Sequence, residues 1–291
     1  MNPKYPIYIV SKGRWATRLT SKALERLTTP YFIVVEQDEW QQYSSVVDPS
    51  KVLGLPQSYL DEYETCDDLG SSKGKGPGAA RNFCLDHSKA NGFRRHWVMD
   101  DNIPRFHRLN RNLMVVVSGG SIFRAMEDFV DRYENVRIAG PNYDFFAKAK
   151  EPLPPYVVNT RIYSCLLIDN SIKYRWRGRY NEDTDLSLRV LKDGDCTVQF
   201  NAFLQEKATT QTVKGGNTDM FYSKEGTKPK SEMLVKLHPD VSKLVWKFNR
   251  WHHQVDYGRF KQNRLARVAD ISSLPSVDNY GMVLKLKTEL G

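Results

Sequence analysis

The sequence has no long apolar segment. No uninterrupted apolar run approaches the roughly 18–20 residues that a membrane-spanning helix needs. The short apolar run before the SKGRW turn lacks a small-residue cleavage site, which favours a buried strand over a signal peptide. Cysteine is scarce as well: the four cysteines form no CxxC pair, which indicates free thiols in a reducing compartment and disfavours a zinc site. We therefore expect a cytoplasmic protein that does not bind a membrane.

Acidic residues are too few to balance the basic ones. Among 291 residues, 43 Lys and Arg face 34 Asp and Glu, which gives a net charge of +9. The excess is concentrated in residues 173–179, KYRWRGR, with four bases, and in residues 211–291, with 14 bases and 8 acids. Aromatic side chains stand beside these bases. Cations next to stacking surfaces favour nucleic-acid binding, although solubility alone also explains a basic surface. The predicted contacts are Arg105, Arg108, Arg175, Trp176, Arg177, Arg179, Arg250 and Trp251.

The order of the apolar segments predicts an α/β fold. A strand at residues 7–10, a helix at 21–27 and a strand at 31–35 form the β-α-β unit of a parallel sheet. Further strands are predicted at 51–55, 96–99, 136–139, 161–168 and 198–203. Further helices are predicted at 79–89, 121–134 and 183–194, the last capped by Asp183 or Thr184. We predict a Rossmann-type mixed, mainly parallel sheet flanked by helices.

The chain divides into two predicted parts. Residues 1–222 contain the sheet and form the catalytic domain, and residues 223–291 form a basic, partly helical extension packed on it. Within the extension we predict a helix over residues 232–254 that is interrupted at Pro239. No internal repeat is visible.

Polar clusters follow the predicted strands. Ser11–Arg14 and Glu36 end the first two strands, and Asp100–Asn102 follow the strand at 96–99. Ligands of open α/β sheets bind at the carboxyl ends of the strands. The cluster of Ser11–Arg14 with Glu36 and the cluster of Asp100–Asn102 should therefore meet at one edge of the sheet. Asp100 and Asn102 are alternate residues, so both can reach one hard divalent cation, such as Mg²⁺ or Mn²⁺. A solvated Asp-Asp-Asn turn would give the same pattern.

Two further clusters carry candidate chemistry. Arg81 and Asn82 follow a glycine-rich loop at a helix start, a place that suits a phosphate, although the loop matches neither a Walker A motif nor a dinucleotide fingerprint. An arginine exposed on the surface is equally compatible with this position. The acids Glu182, Asp183 and Asp185 exceed what helix capping requires, and one of them could act as a general base.

The motifs SKGRW, VVE, GPGAARN, VMDDN and NEDTDLSLR together resemble GT-A-type nucleotide-sugar glycosyltransferases. More narrowly, over roughly residues 5–220 the chain resembles the TET-associated glycosyltransferase family. That family is typical of tailed phages, and its members attach sugars to 5-hydroxymethylpyrimidines in DNA. The resemblance therefore implies a GT-A-like fold and, for a phage-encoded chain, the host cytoplasm.

The resemblance also assigns roles to residues. Asp183, with Glu182 beside it, takes the place of the catalytic base. Asp100 and Asn102 take the place of the DxD metal ligands for Mn²⁺ or Mg²⁺, with asparagine in the last position. The implied contacts to the nucleotide and diphosphate of a UDP-sugar are Ser11, Lys12, Arg14, Glu36, Gly76, Arg81, Asn82, Asp101, Lys214, Gly215 and Gly216. The loop at 214–217 corresponds to a loop that closes over the diphosphate.

The expected reaction is transfer of a sugar, with glucose as first candidate, from UDP-sugar to 5-hydroxymethylcytosine in double-stranded or locally opened DNA. The same chemistry on 5-hydroxymethyluracil is a second candidate. The motifs are also compatible with a protein or carbohydrate glycosyltransferase, with an inactive sugar-nucleotide-binding protein and with a nucleotidyltransferase. Inversion at the anomeric carbon is expected from the position of Asp183.

Overall fold

The computed structural model describes residues 1–67, 75–110, 112–148, 152–208 and 228–268, together with positions 277 and 283. The predicted closing loop with Lys214, Gly215 and Gly216 lies outside these residues, so its role stays a prediction.

The described residues build a ten-stranded sheet flanked by helices. The sheet strands are β1 (Ile7–Val10), β2 (Phe32–Glu36), β3 (Val52–Leu55), β4 (Arg95–Asp100), β5 (Arg105–Asn110), β6 (Leu113–Val116), β7 (Val136–Tyr143), β8 (Tyr156–Val158), β9 (Cys165–Asp169) and β10 (Cys196–Glu206). The helices are α1 (Leu19–Arg26), α2 (Trp40–Ser44), α3 (Gln57–Asp61), α4 (Gly78–Ala90), α5 (Ser121–Val130), α6 (Glu182–Lys192) and α7 (Lys228–Leu237).

The sheet is mixed, with most strands in one direction. Its order is β3-β2-β1-β4-β9-β7-β10-β5-β6, and β8 pairs with β10. Strands β3, β2, β1 and β4 are mutually parallel, and β7 is parallel to β10. Strand β9 runs antiparallel between β4 and β7, and β5 and β8 are antiparallel to β10. The predicted mixed, mainly parallel α/β sheet is therefore confirmed.

The central strands are buried on both faces, which explains their continuous apolar sequence. In β1, Ile7 and Ile9 face a cluster that includes residues of α1 and α5, whereas Tyr8 and Val10 face a cluster that includes α4. Successive side chains of a strand point to opposite faces, so all four residues of β1 are in the core. Burial of both faces fixes the position of each strand in the sheet. The polar residues that follow the parallel strands therefore lie at the same edge of the sheet.

The C-terminal region differs from the predicted interrupted helix. Helix α7 ends before Pro239, and the chain then forms a hairpin of β11 (Ser242–Lys247) and β12 (Arg250–Val255). Its two turn residues, Phe248 and Asn249, have φ values of 51° and 56°, as a two-residue type I′ turn requires. The prediction of a helix beyond Pro239 is therefore wrong, because the Val and Trp residues of this segment favour a strand.

Helix α7 packs on α6 through apolar side chains. Leu234 shares an apolar cluster with Leu188 and Leu191 of α6, and Val241 and Phe260 belong to the same cluster. The start of α6 also differs from the prediction. Its N-cap is Asn181, with φ 55°, and no side chain caps the helix, so neither Asp183 nor Thr184 serves as the cap.

Candidate active site

The ends of β1 and β4 bring the Ser11–Arg14 cluster and the Asp100–Asn102 cluster together. The strands are parallel neighbours, with Val10 beside Asp100 in register. The Ser11 hydroxyl donates to Oδ2 of Asp101 over 2.7 Å, and Arg14 forms an ion pair with the other oxygen of Asp101. Burial raises the pKa of Asp101, while Arg14 and Ser11 act to lower it. The predicted meeting of these clusters at one sheet edge is confirmed.

The adjoining rim of the site is formed by the turn after β1 and by residues from the end of β2 to α2. Lys12 Nζ lies 2.7 and 2.8 Å from the two carboxylate oxygens of Glu36. The amide of Gly13 donates to Glu39 over 2.9 Å. Tyr43 accepts a hydrogen bond from the Arg14 amide at 3.0 Å. The structure thus groups the predicted nucleotide contacts at one rim, and it adds Glu39 and Tyr43, which no sequence motif marks.

Arg81 joins the remaining clusters into one network. The arginine is 1% exposed, and its guanidinium lies 4.6 Å from the centroid of the Trp176 ring. Its Nη2 is 2.7 Å from Oδ1 of Asp100, and its Nη1 is 3.2 Å from Oε1 of Glu182 and pairs with Asp183. Burial lowers the pKa of Arg81, but the three carboxylates outweigh it and hold the pKa above its usual value. Arg81 therefore positions the candidate base.

Lys207 is a site residue that the sequence reasoning missed. It follows β10, and its Nζ lies 2.9 Å from Oδ2 of Asp100 and 3.4 Å from the Tyr143 hydroxyl, and it donates to the Ser164 hydroxyl. Burial lowers the pKa of Lys207, but Asp100 outweighs it and raises the pKa. For Asp100 the balance is the reverse: burial raises its pKa, and Lys207 and Arg81 hold the pKa below its ordinary value.

Asp100 and Asn102 supply oxygen donors of the type that Mg²⁺ or Mn²⁺ prefers. However, both carboxylate oxygens of Asp100 already pair with cations, one with Arg81 and one with Lys207. Oδ1 of Asn102 is buried without a hydrogen-bond partner. A divalent cation at Asp100 would meet two fixed positive charges on the same oxygens, so this arrangement of the described residues does not fit the metal. Mn²⁺ or Mg²⁺ stays a prediction from the sequence.

The two acids that begin α6 form the candidate catalytic pair. Oδ2 of Asp183 accepts a hydrogen bond from the Ser164 amide at 3.4 Å. Burial raises the pKa of Asp183, against the opposing charge of Arg81. Burial also raises the pKa of Glu182 to about 7, and the nearby Asp183 adds to this rise. A carboxyl group whose pKa is raised toward neutral pH is suited to proton transfer.

Asn82 and Gly76 support the segment around Trp176. The Asn82 amide donates to the Trp176 carbonyl at 3.0 Å and accepts from the Trp176 amide at 2.8 Å. Gly76 has φ +80°, and a Cβ atom there would lie 2.9 Å from the Arg179 carbonyl oxygen. Asn82 therefore anchors the backbone of Trp176, and Gly76 permits close approach to the backbone of Arg179. Contact of either residue with a nucleotide stays a prediction.

The structure separates the predicted DNA contacts into interior and surface residues. Trp176 is 2% exposed beneath Arg81, and Arg179 is 1% exposed and pairs with Asp67 at 2.6 Å. Direct DNA contact is therefore wrong for these two residues, because their side chains have no free surface. The remaining predicted residues reach the surface to different degrees: Arg105, Arg108, Arg175 and Arg250 are exposed, and Arg177 and Trp251 are half-buried.

The mixed α/β sheet, with acidic and basic groups at the carboxyl edge of its parallel half, is consistent with a GT-A-like fold. The model of the TET-associated glycosyltransferase family matches residues 5–216, and the chain belongs to that family. No curated protein matches the chain. Among the described residues, no helix combines the length and apolar character needed to cross a membrane.

Proposed function

We propose that the protein transfers a sugar, with glucose as first candidate, from UDP-sugar to the hydroxymethyl oxygen of 5-hydroxymethylcytosine in DNA. The observation that carries the proposal is the network in which Arg81 joins Asp183 to Asp100 at the carboxyl edge of the sheet. Family membership supports a glycosyltransferase acting on modified DNA bases, and the net charge of +9 suits a polyanionic acceptor.

In the proposed reaction, the Asp183 carboxylate accepts the proton of the hydroxymethyl group. The oxygen of that group forms a bond to the anomeric carbon from the side opposite the diphosphate. The bond between the anomeric carbon and the diphosphate oxygen breaks, and UDP leaves with the electron pair. This displacement inverts the anomeric centre. Arg81 keeps Asp183 oriented and limits the rise in its pKa that burial causes.

Positive charge near the leaving diphosphate comes, in this proposal, from the chain itself. Lys207 is the described cation that contacts Asp100 from the accessible side, with its side chain 18% exposed against 1% for Arg81. A fixed ammonium group in a site of low water content stabilises developing negative charge without reorganisation. By the family resemblance, Lys214 adds to this charge. The rim of Lys12, Glu36, Ser11 and Arg14 is assigned to the nucleoside.

Hydroxymethylcytosine is the first candidate acceptor base and hydroxymethyluracil the second. Incubation of the protein with each hydroxymethylated DNA and a panel of nucleotide sugars, followed by mass spectrometry of the nucleosides, tests the proposal. We expect a mass increase of one sugar in the modified pyrimidine. If the protein transfers sugar to a protein or a glycan but to no DNA, the acceptor is that protein or glycan and the proposed function is wrong.

The role of Asp183 is tested by Asp183→Asn, which should abolish transfer. Asp193→Asn is a matched control next to the same helix, since its carboxylate accepts from the exposed Tyr174 hydroxyl at the far end of α6. Transfer by Asp183→Asn at the control's rate would remove Asp183 from the reaction.

A further inference from the structure

The described residues form a cleft of about 260 Å³ that Tyr143, a contact of Lys207, helps to line. Its walls come from the end of β7, from residues 153–163 and from β10. The residues that matter for its chemistry are Asn142, Tyr143, Phe146, Arg161, Tyr163 and Asn201. No sequence motif marks this region, and the reaction as proposed above leaves it without a role.

The cleft is continuous with the catalytic network. The Tyr143 hydroxyl lies 2.7 Å from the Ser164 hydroxyl, and the Ser164 amide donates to Asp183. On the other wall, the Thr184 hydroxyl donates to the Tyr163 hydroxyl over 3.4 Å. Tyr143 on the cleft wall is thus connected to Asp183 through Ser164 by two hydrogen bonds, and Tyr163 is bonded to Thr184, the residue after Asp183. The side of the cleft formed by these two tyrosines is therefore the side nearest to the catalytic network.

The lining differs from that of the nucleotide rim. The described lining residues include aromatic rings and neutral amides but no carboxylate, and Arg161 is their single charged member. The rings of Tyr143 and Tyr163 are nearly parallel, with an interplanar angle of 19°. Phe146 is 44% exposed at the cleft. The exposed ring of Phe146 beside neutral hydrogen-bonding groups suits a flat, uncharged heterocycle rather than a phosphate or a sugar.

We propose that this cleft holds the acceptor pyrimidine after it has rotated out of the DNA helix. The inference rests on the proposed function and adds the place where the acceptor base is bound. Phe146 stacks on the base, its hydroxymethyl group is directed toward Asp183, and Arg161 faces the adjoining phosphate. A base inside a duplex cannot reach a buried carboxylate, so extrusion into a pocket is required. The cleft replaces buried Trp176 as the stacking surface.

Phe146→Ala tests the cleft, and Phe93→Ala is the control. Both rings are exposed, by 44% and 39%, and Phe93 does not line the cleft. Loss of one base–aromatic stack should lower kcat/KM for hydroxymethylated duplex DNA by roughly 5- to 150-fold. Acceptor-independent hydrolysis of the UDP-sugar should be unchanged, and Phe146→Trp should restore transfer.

Fluorescence of 2-aminopurine placed beside the target base provides a second measurement. Wild-type protein and Phe93→Ala should raise the fluorescence by unstacking the probe, and Phe146→Ala should raise it less. If the wild type transfers sugar to DNA and Phe146→Ala keeps kcat/KM within twofold of Phe93→Ala, the cleft assignment is overturned and the proposed function stands. If the wild type transfers no sugar to any DNA, the proposed function itself fails.

Discussion

Replacement of Lys207 by methionine removes the ammonium group from one side of Asp100 and keeps most of the aliphatic stem. In the wild type, the two oxygens of Asp100 lie 2.9 Å from Lys207 Nζ and 2.7 Å from Arg81 Nη2. Arg81 still pairs with the other oxygen of Asp100 in this variant, so one charge-assisted hydrogen bond is lost. Loss of such a bond costs about 1.5–3 kcal/mol. We expect the free energy of unfolding to fall by this amount in urea denaturation.

The effect on sugar transfer should be larger. Removal of one fixed donor that stabilises developing negative charge lowers kcat by about 10²- to 10³-fold. We expect this loss for Lys207→Met in the presence of EDTA, with partial recovery on addition of Mn²⁺, because Oδ2 of Asp100 becomes free to bind the metal. The wild type should keep its activity in EDTA. Lys192→Met is the matched control, since its Nζ pairs with Asp240 on the surface at 2.7 Å.

Two results would refute this reasoning. If EDTA abolishes wild-type transfer and Mn²⁺ restores it, the ammonium group is insufficient and Asp100 and Asn102 are metal ligands, as the sequence predicts. If Lys207→Met keeps the wild-type kcat in EDTA, the ammonium group has no part in the reaction.

Three further predictions follow from other parts of the structure. The pKa of Glu182 is raised from 4.5 to about 7, so the native state binds more protons than the unfolded state. The free energy of unfolding should therefore fall as pH rises from about 4.5 to 7. Urea denaturation at several pH values should show a smaller fall for Glu182→Gln. Gly76→Ala should cost more stability than Gly92→Ala in thermal unfolding, because both have positive φ but only Gly76 would place its Cβ against backbone, whereas equal losses would exclude that contact. Joint replacement of Arg105 and Arg108 by Ala should reduce the slope of log DNA affinity against log salt by about 2, and an unchanged slope would place the DNA elsewhere.

The sequence predicts those parts of the site that depend on strand order. Ser11, Arg14 and Asp101 can be placed together because they follow parallel neighbouring strands, whose ends meet at one edge. Lys207 cannot be found in this way. It contacts Asp100 across 107 residues of sequence, it follows a strand that the apolar pattern predicts to end earlier, and a lone lysine carries no local motif.

Residue type alone misleads the prediction for Trp176 and Arg179. Four bases within seven residues are typical of a solvated surface, and a tryptophan between them suggests a stacking platform. In the structure, Trp176 lies under Arg81 and Arg179 pairs with Asp67. Burial of such a segment depends on partners that are distant in the chain, and a run of charges does not reveal whether those partners exist.

The charge balance of the network gives a physical reason for asparagine at position 102. Among the residues that the structure describes, three cations, Arg14, Arg81 and Lys207, face four carboxyl groups, those of Asp100, Asp101, Glu182 and Asp183. Burial raises the pKa of Glu182 to about 7, so this group is partly protonated at neutral pH, which brings the negative charge closer to that of the three cations. A fifth carboxyl group at position 102 would add an uncompensated charge beside buried acids, and such a charge is costly unless another cation binds. A neutral amide at that position is therefore what a site neutralised by its own lysine and arginines requires.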